Sequence, residues 1–119
     1  MFKKALWLAE KVRRRFATDL PTRSLGEWEA RHEETVREDV EAVLPYLPED
    51  GVFLDIGANI GIFSRVLREQ RPGATGILFE PVARYAEMCR ERFSGDAGLE
   101  VVQAAMGDED AVRTIYKAA

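Results

Sequence analysis

A chain of 119 residues, 46% hydrophobic and 32% charged, has the composition of an ordinary globular domain, and its length allows one such domain at most. A single cysteine, Cys89, excludes an internal disulfide framework, and a single histidine, His32, leaves no Cys/His spacing for a metal. The net charge of −4 gives no reason to expect a nucleic-acid partner, and the cysteine usage points to the cytoplasm.

The charge is unevenly spread: residues 1–23 carry +5, residues 24–51 carry −7 and residues 52–119 carry −2. Phe2 to about Phe16 reads as a basic amphipathic helix, with Phe2, Ala5, Leu8, Ala9, Val12 and Phe16 on one stripe and Lys3, Lys4, Lys11 and Arg13 to Arg15 around it. Its apolar run is too short for a signal peptide or for a span of about 20 residues. It either packs on the domain or makes weak contact with an anionic membrane surface. Thr18 to Arg23, with Pro21, is a break. Ser24 and Glu27 then form a capping box, and Leu25, Trp28, His32, Val36, Val40, Val43, Leu44 and Leu47 recur at helical spacing until Pro45 and Pro48 close the segment. Residues 1–48 are therefore expected to be helical, with His32 packed in or beside that stripe.

Val52 to Ile56 is a short apolar run carrying one acid, Asp55, and it breaks into Gly57-Ala58-Asn59-Ile60-Gly61. The pattern predicts a strand of a parallel sheet covered on both faces, a tight loop, and a helix whose free N–H groups face a ligand. Ile62, Phe63, Val66 and Leu67 mark the inward side of that helix, which Arg71-Pro72-Gly73 ends. Gly76 to Glu80 reads as a second buried strand. Its terminal acid follows Gly61 by nineteen residues, close to the interval of about 20 at which a strand-tip acid bonds ribose hydroxyls. Pro81 suits the first turn of a third helix running to about Phe93, in which Cys89 has core spacing with Val82, Tyr85, Ala86 and Phe93 and reads as a buried thiol. Ser94 to Gly98 is a loop, Leu99 to Ala104 a third strand, Gly107 to Asp110 a turn, and Thr114 to Lys117 a short extra strand.

The loop lacks the third glycine of the dinucleotide fingerprint, and no Gly-Lys-Ser/Thr follows it as in a P-loop. It resembles motif I of the class I methyltransferases that bind S-adenosylmethionine. The run DIGANIG together with Phe79-Glu80-Pro81 is similar to the FkbM family in particular, over roughly Leu47 to Lys117. This resemblance implies an α/β, Rossmann-like parallel sheet over residues 49–119, with S-adenosylmethionine as cofactor and a hydroxyl of a sugar or other small metabolite as acceptor. It implies that Asp55 holds the amino end of the methionine part, that Gly57, Ala58, Asn59 and Gly61 form the cofactor loop, and that the adenine lies against Gln103, Ala104, Ala105 and Met106. Asp108 either contacts the adenine amino group or belongs to the turn.

Structural roles stand beside these. Asp55 would satisfy loop N–H groups, Gly57 and Gly61 would serve positive φ or packing, and Asn59 would cap the following helix. An NAD-type oxidoreductase and a catalytically silent nucleoside-binding or interaction module remain alternatives, and no residue is identifiable as a catalytic base. Since the related fold has a seven-stranded sheet, the motifs account for its first half alone. The first strand is then expected to present an unpaired edge, covered by the rest of a longer enzyme or by self-association.

Overall fold

The computed structural model describes residues 25–116. The basic stretch Phe2 to Phe16, the break at Pro21, Ser24 of the capping box and Lys117 lie outside the described residues, as do the side chains of Leu25 and Trp28. The elements are α1 (Leu25–Val43), a 3-10 turn (Leu44–Tyr46), β1 (Val52–Ile56), α2 (Ile62–Gln70), β2 (Thr75–Phe79), α3 (Ala83–Arg92) and β3 (Leu99–Val102). No helix among the described residues is long and apolar enough to cross a membrane.

The three strands are parallel in the order β1-β2-β3, so this is an α/β sheet with helical crossovers. Both crossovers step in the same direction across the sheet, and their shared handedness puts α2 and α3 on one face. Under them the strands bury their inward residues. Leu78 is fully buried, and Gly76 sits beneath the ring of its register partner Phe53, where an added Cβ would meet the ring at 2.4 Å. The core has two parts. Val36, Val40 and Leu47 from α1 and the turn after it pack with Ile60, Ile62, Val66, Leu67 and Ala74. A smaller group, Ala58, Leu78 and Cys89, closes beneath α3 with Phe93, Leu99 and Val101 around it.

Polar contacts lock the helices at their flanks. Between α1 and α2, Arg37 bonds Glu33 (2.6 Å) and reaches Glu69 (3.4 Å), while Arg65 bonds Glu69 (2.6 Å) and reaches Glu33 (3.5 Å). Pairs this open to water are screened and contribute little. The Arg68 guanidinium is placed better. It donates to Ala74 O (2.5 Å) and to both oxygens of Asp96 (2.8 and 3.0 Å), tying the end of α2 to the turn that precedes β3. The Gly98 N–H and Arg68 together hold the Asp96 carboxyl below the usual carboxylate range.

Several expectations are corrected. The sheet is covered on one face among the described residues, not on both: Val52, Leu54 and Ile56 are 71%, 54% and 40% exposed. β2 spans Thr75–Phe79 and leaves Glu80 just past its tip, although Glu80 N–H still donates to Val102 O (3.1 Å). β3 stops at Val102, where Ala104 N–H turns back to Val102 O (3.0 Å) and peels the chain away. α3 begins at Ala83 behind the N-cap Val82, so Pro81 precedes the helix and is not in its first turn. Thr114 to Tyr116 form no strand, because a strand needs a partner edge and this exposed segment lies against none.

Candidate functional site at the strand tips

β1 and β2 end side by side, with Ile56 opposite Phe79, and the chain from β1 folds over the tip of β2. The Phe79 carbonyl accepts both Gly57 N–H (2.8 Å) and Ala58 N–H (3.0 Å). Asn59 N–H donates to Glu80 Oε2 (2.7 Å), and Gly61 N–H donates to Ala58 O (2.9 Å). These four loop N–H groups are thus engaged within the chain, and the expectation of donors facing a ligand concerned the N-terminus of the helix that follows. The open donors belong to the first turn of α2, ahead of the bond from Arg65 N–H to Gly61 O.

The loop's shape is an alternation of left-handed residues: Gly57 at φ 81°, Asn59 at φ 52° and Gly61 at φ 85°. Asn59 occupies the position where a glycine would be the unstrained choice, and asparagine is among the few side-chain-bearing residues that adopt this region readily. It does not cap α2. The N-cap is Gly61, with no side-chain bond, and Asn59 Oδ1 is buried without a partner.

Three residues on one face of α3 hold this shape from below, at the i, i+3, i+4 spacing that brings side chains together. The Cys89 thiol donates to Asn59 O (2.9 Å), Arg92 Nε donates to Ile60 O (2.9 Å), and the Phe93 ring lies where a Cβ on Gly61 would come within 2.8 Å. Arg92 also pairs with Glu29, which brings the start of α1 to the same end of the sheet. Sequence reasoning found Cys89 as a buried thiol but missed Arg92, which lies in a charged run with nothing to mark it. Burial, then the nearby Asp55 and Glu80, push the Cys89 thiol up to about 12, so it is a neutral packing group and not a nucleophile.

Two carboxyl groups flank the loop. Asp55 accepts a short bond from Ser64 Oγ (2.6 Å) at the first turn of α2, a partner the sequence did not reveal. Asp55 is half-buried, and desolvation raises its carboxyl to about 6 against the opposing pull of Ser64, with the charge of Glu80 adding to the rise. Glu80 is 5% exposed and clasps the backbone on both sides, with Oε2 taking Asn59 N–H and Oε1 taking Val82 N–H (2.8 Å). A carboxylate offers about four acceptor positions, so each oxygen keeps one for a ligand hydroxyl. Ala105 lies in the exposed chain just after β3, at the same end of the sheet, and Met106 beside it is 52% exposed. Asp108 is exposed in a bend.

His32 sits partly buried on α1. Among the described residues no group of three His, Cys, Asp or Glu side chains is placed to hold a metal. A groove of about 340 Å³ between α2 and α3 is lined by Arg65, Arg68, Arg92 and Phe93, but its guanidinium groups are paired with carboxylates.

No family model matches the chain. A stretch of 37 residues, 31% of the chain, is 51% identical to part of the AMB antimetabolite synthetase AmbE of Pseudomonas aeruginosa. The match spans 2% of that protein's length, so what the chain resembles is a small part of a much larger polypeptide.

Proposed function

We propose that the strand-tip site binds S-adenosylmethionine and that the chain supplies the cofactor-binding half of an FkbM-type class I methyltransferase acting on a hydroxyl of a sugar or other small metabolite. One observation carries the reading. Two carboxyl groups, Asp55 and Glu80, stand at adjacent parallel strand tips on either side of a left-handed glycine loop, and that loop is bonded to one of them. A cationic nucleoside without phosphate suits such a site. Asp55 would take the ammonium of the methionine part, whose charge returns the carboxyl to its ionised form. The free acceptor positions of Glu80 would take the ribose hydroxyls, each such charge-assisted bond contributing about 1.5–3 kcal/mol. The buried, unpartnered Asn59 Oδ1 leaves a further acceptor beside them.

Against a dinucleotide, the loop N–H groups of Gly57, Ala58, Asn59 and Gly61 are engaged within the chain, which leaves a pyrophosphate the open donors of the first turn of α2 alone. The bound cofactor would supply a methyl group on a sulfonium for in-line displacement. The residues of this chain hold and orient it, and Ala105 and its neighbours after β3 offer small side chains for the ring. The relative's name, a synthetase, sets a biosynthetic context and does not bear on methyl transfer.

Calorimetric titration with S-adenosylhomocysteine, S-adenosylmethionine and NAD in parallel tests the proposal. Saturable binding of the first two without NAD is expected. Binding of NAD alone would support the oxidoreductase reading, and binding of none would support a silent interaction module.

A further inference from the structure

Two carbonyls in the middle of the glycine loop take their bonds from side chains. The loop's N–H groups are placed on Phe79 O, Glu80 and Ala58 O, but among the described residues no backbone N–H reaches Asn59 O or Ile60 O. Asn59 O accepts the Cys89 thiol and Ile60 O accepts Arg92 Nε, each at 2.9 Å. A thiol is a weak donor and a guanidinium a charged one, so Arg92 is the principal hold on this stretch.

The Ile60–Gly61 peptide is planar, so turning its C=O changes ψ of Ile60 and φ of Gly61 together. Gly61 is the left-handed N-cap of α2 at φ 85°, and Ser64 in the turn after it bonds Asp55. A bond that fixes the Ile60 carbonyl therefore fixes how the chain enters α2 and where the partner of Asp55 stands.

Arg92 in turn depends on another element. Its Nη2 pairs with Glu29 near the start of α1, and both side chains are mostly buried. Burial pulls the guanidinium below its ordinary pKa, so a counter-charge matters to it more than at the open surface. The planar fork donates in fixed directions, and the position of Glu29 thereby sets that of Nε. Without Glu29 the long side chain is better placed with its charge in water, and Ile60 O loses its donor. We infer that Arg92 is a positioning residue for the loop, and that it makes the loop's shape, and with it affinity at the strand tips, depend on the docking of α1. The affinity half rests on the proposed cofactor reading, whereas the shape half does not.

Amide hydrogen exchange of the 119-residue chain, followed by NMR, together with titration of S-adenosylhomocysteine, tests the inference. Glu29→Gln should speed exchange of the Asn59 and Gly61 amides about tenfold and weaken binding by a similar factor, while the amide of Leu78 in the middle strand exchanges as before. Arg92→Gln should do the same or more. Adding Glu29→Gln to Arg92→Gln should change nothing further at the loop, because no pair is left to break. A purely structural role of Glu29 within α1 would persist in that background. Arg90→Gln, which breaks a pair internal to α3, should leave the loop as it is. Glu29→Gln, at a residue outside the core, decides by itself should Arg92→Gln fold poorly. Loop amides unchanged in Glu29→Gln overturn the inference, as does a Glu29→Gln effect of equal size with and without Arg92. Faster loop exchange with unchanged affinity overturns the affinity half. A wild-type chain that binds no S-adenosylhomocysteine sinks the cofactor reading instead, and the exchange rates still decide whether α1 and the loop are coupled.

Discussion

The two faces of β1 are made of the same kind of residue and meet opposite fates. Phe53 and Asp55 turn inward beneath α1 and α2, while Val52, Leu54 and Ile56, just as apolar or more so, turn out to solvent. A strand with four apolar positions out of five therefore reports how many faces the complete sheet covers, and the described residues cover one. The inward face also carries Asp55, against which α2 sets the Ser64 hydroxyl, and desolvation there is what raises its carboxyl.

The largest contrast should come from truncating matching leucines. Leu78→Ala, in the covered core, is expected to cost about 2–5 kcal/mol in urea unfolding, because the cavity beneath α3 cannot collapse. Leu54→Ala, measured at a concentration where the chain is monomeric, should stay within about 0.5 kcal/mol. Equal costs would mean that the second face is covered after all.

Asp55 supplies the next contrast. Its native carboxyl binds a proton more tightly than the unfolded chain does, with a value of about 6 against the ordinary 3.8. The stabilisation is therefore present below about pH 4 and lost as pH rises through about 6, a change of about 3 kcal/mol. Stability of the free protein should fall across that window, and Asp55→Asn should flatten the fall. A bound ammonium reverses the preference, so affinity for S-adenosylhomocysteine should weaken as pH is lowered through about 6, with proton release on binding inside the window. An affinity independent of pH from 4 to 7 would remove Asp55 from the ligand.

Gly61→Ala sharpens the comparison at the loop. It places a Cβ against Phe93 at a residue with φ 85°, and about 1–3 kcal/mol should be lost together with the loop's shape. Glu80→Gln is gentler. Its amide still accepts one backbone N–H, so folding should change by about 1–2 kcal/mol while the charge that would strengthen the proposed ribose bonds is gone. If Glu80→Gln binds S-adenosylhomocysteine like wild type, Glu80 is a clasp for the loop and nothing more.

These residues show what the sequence makes legible. The order of strands and helices from Val52 to Val102 follows from apolar period and glycine punctuation, and the element bounds agree within two residues. Gly57 and Gly61 announce their positive φ, and Asp55 and Glu80 announce strand tips. Asn59 does not announce that its side chain is buried rather than capping, nor does Glu80 announce that both oxygens clasp backbone. Those outcomes depend on how the chain folds over β2. Arg92 was invisible for the same reason: its partner, the Ile60 carbonyl, is 32 residues away and carries no side-chain signature. The uncovered face was hidden by its own composition, since an outward strand residue looks buried when another layer is meant to lie on it.

The central claim, that the β1 and β2 tips with the intervening loop form the cofactor site, is tested most directly by a nitrogen-15 NMR titration with S-adenosylhomocysteine. The amides of Gly57, Asn59, Gly61, Glu80 and Ala105 should shift in a saturable way, while those of Val52, Leu54 and the outer side of α1 stay in place. Shifts confined to the groove at Arg65, Arg68 and Arg92, or no shifts at saturating ligand, would contradict it.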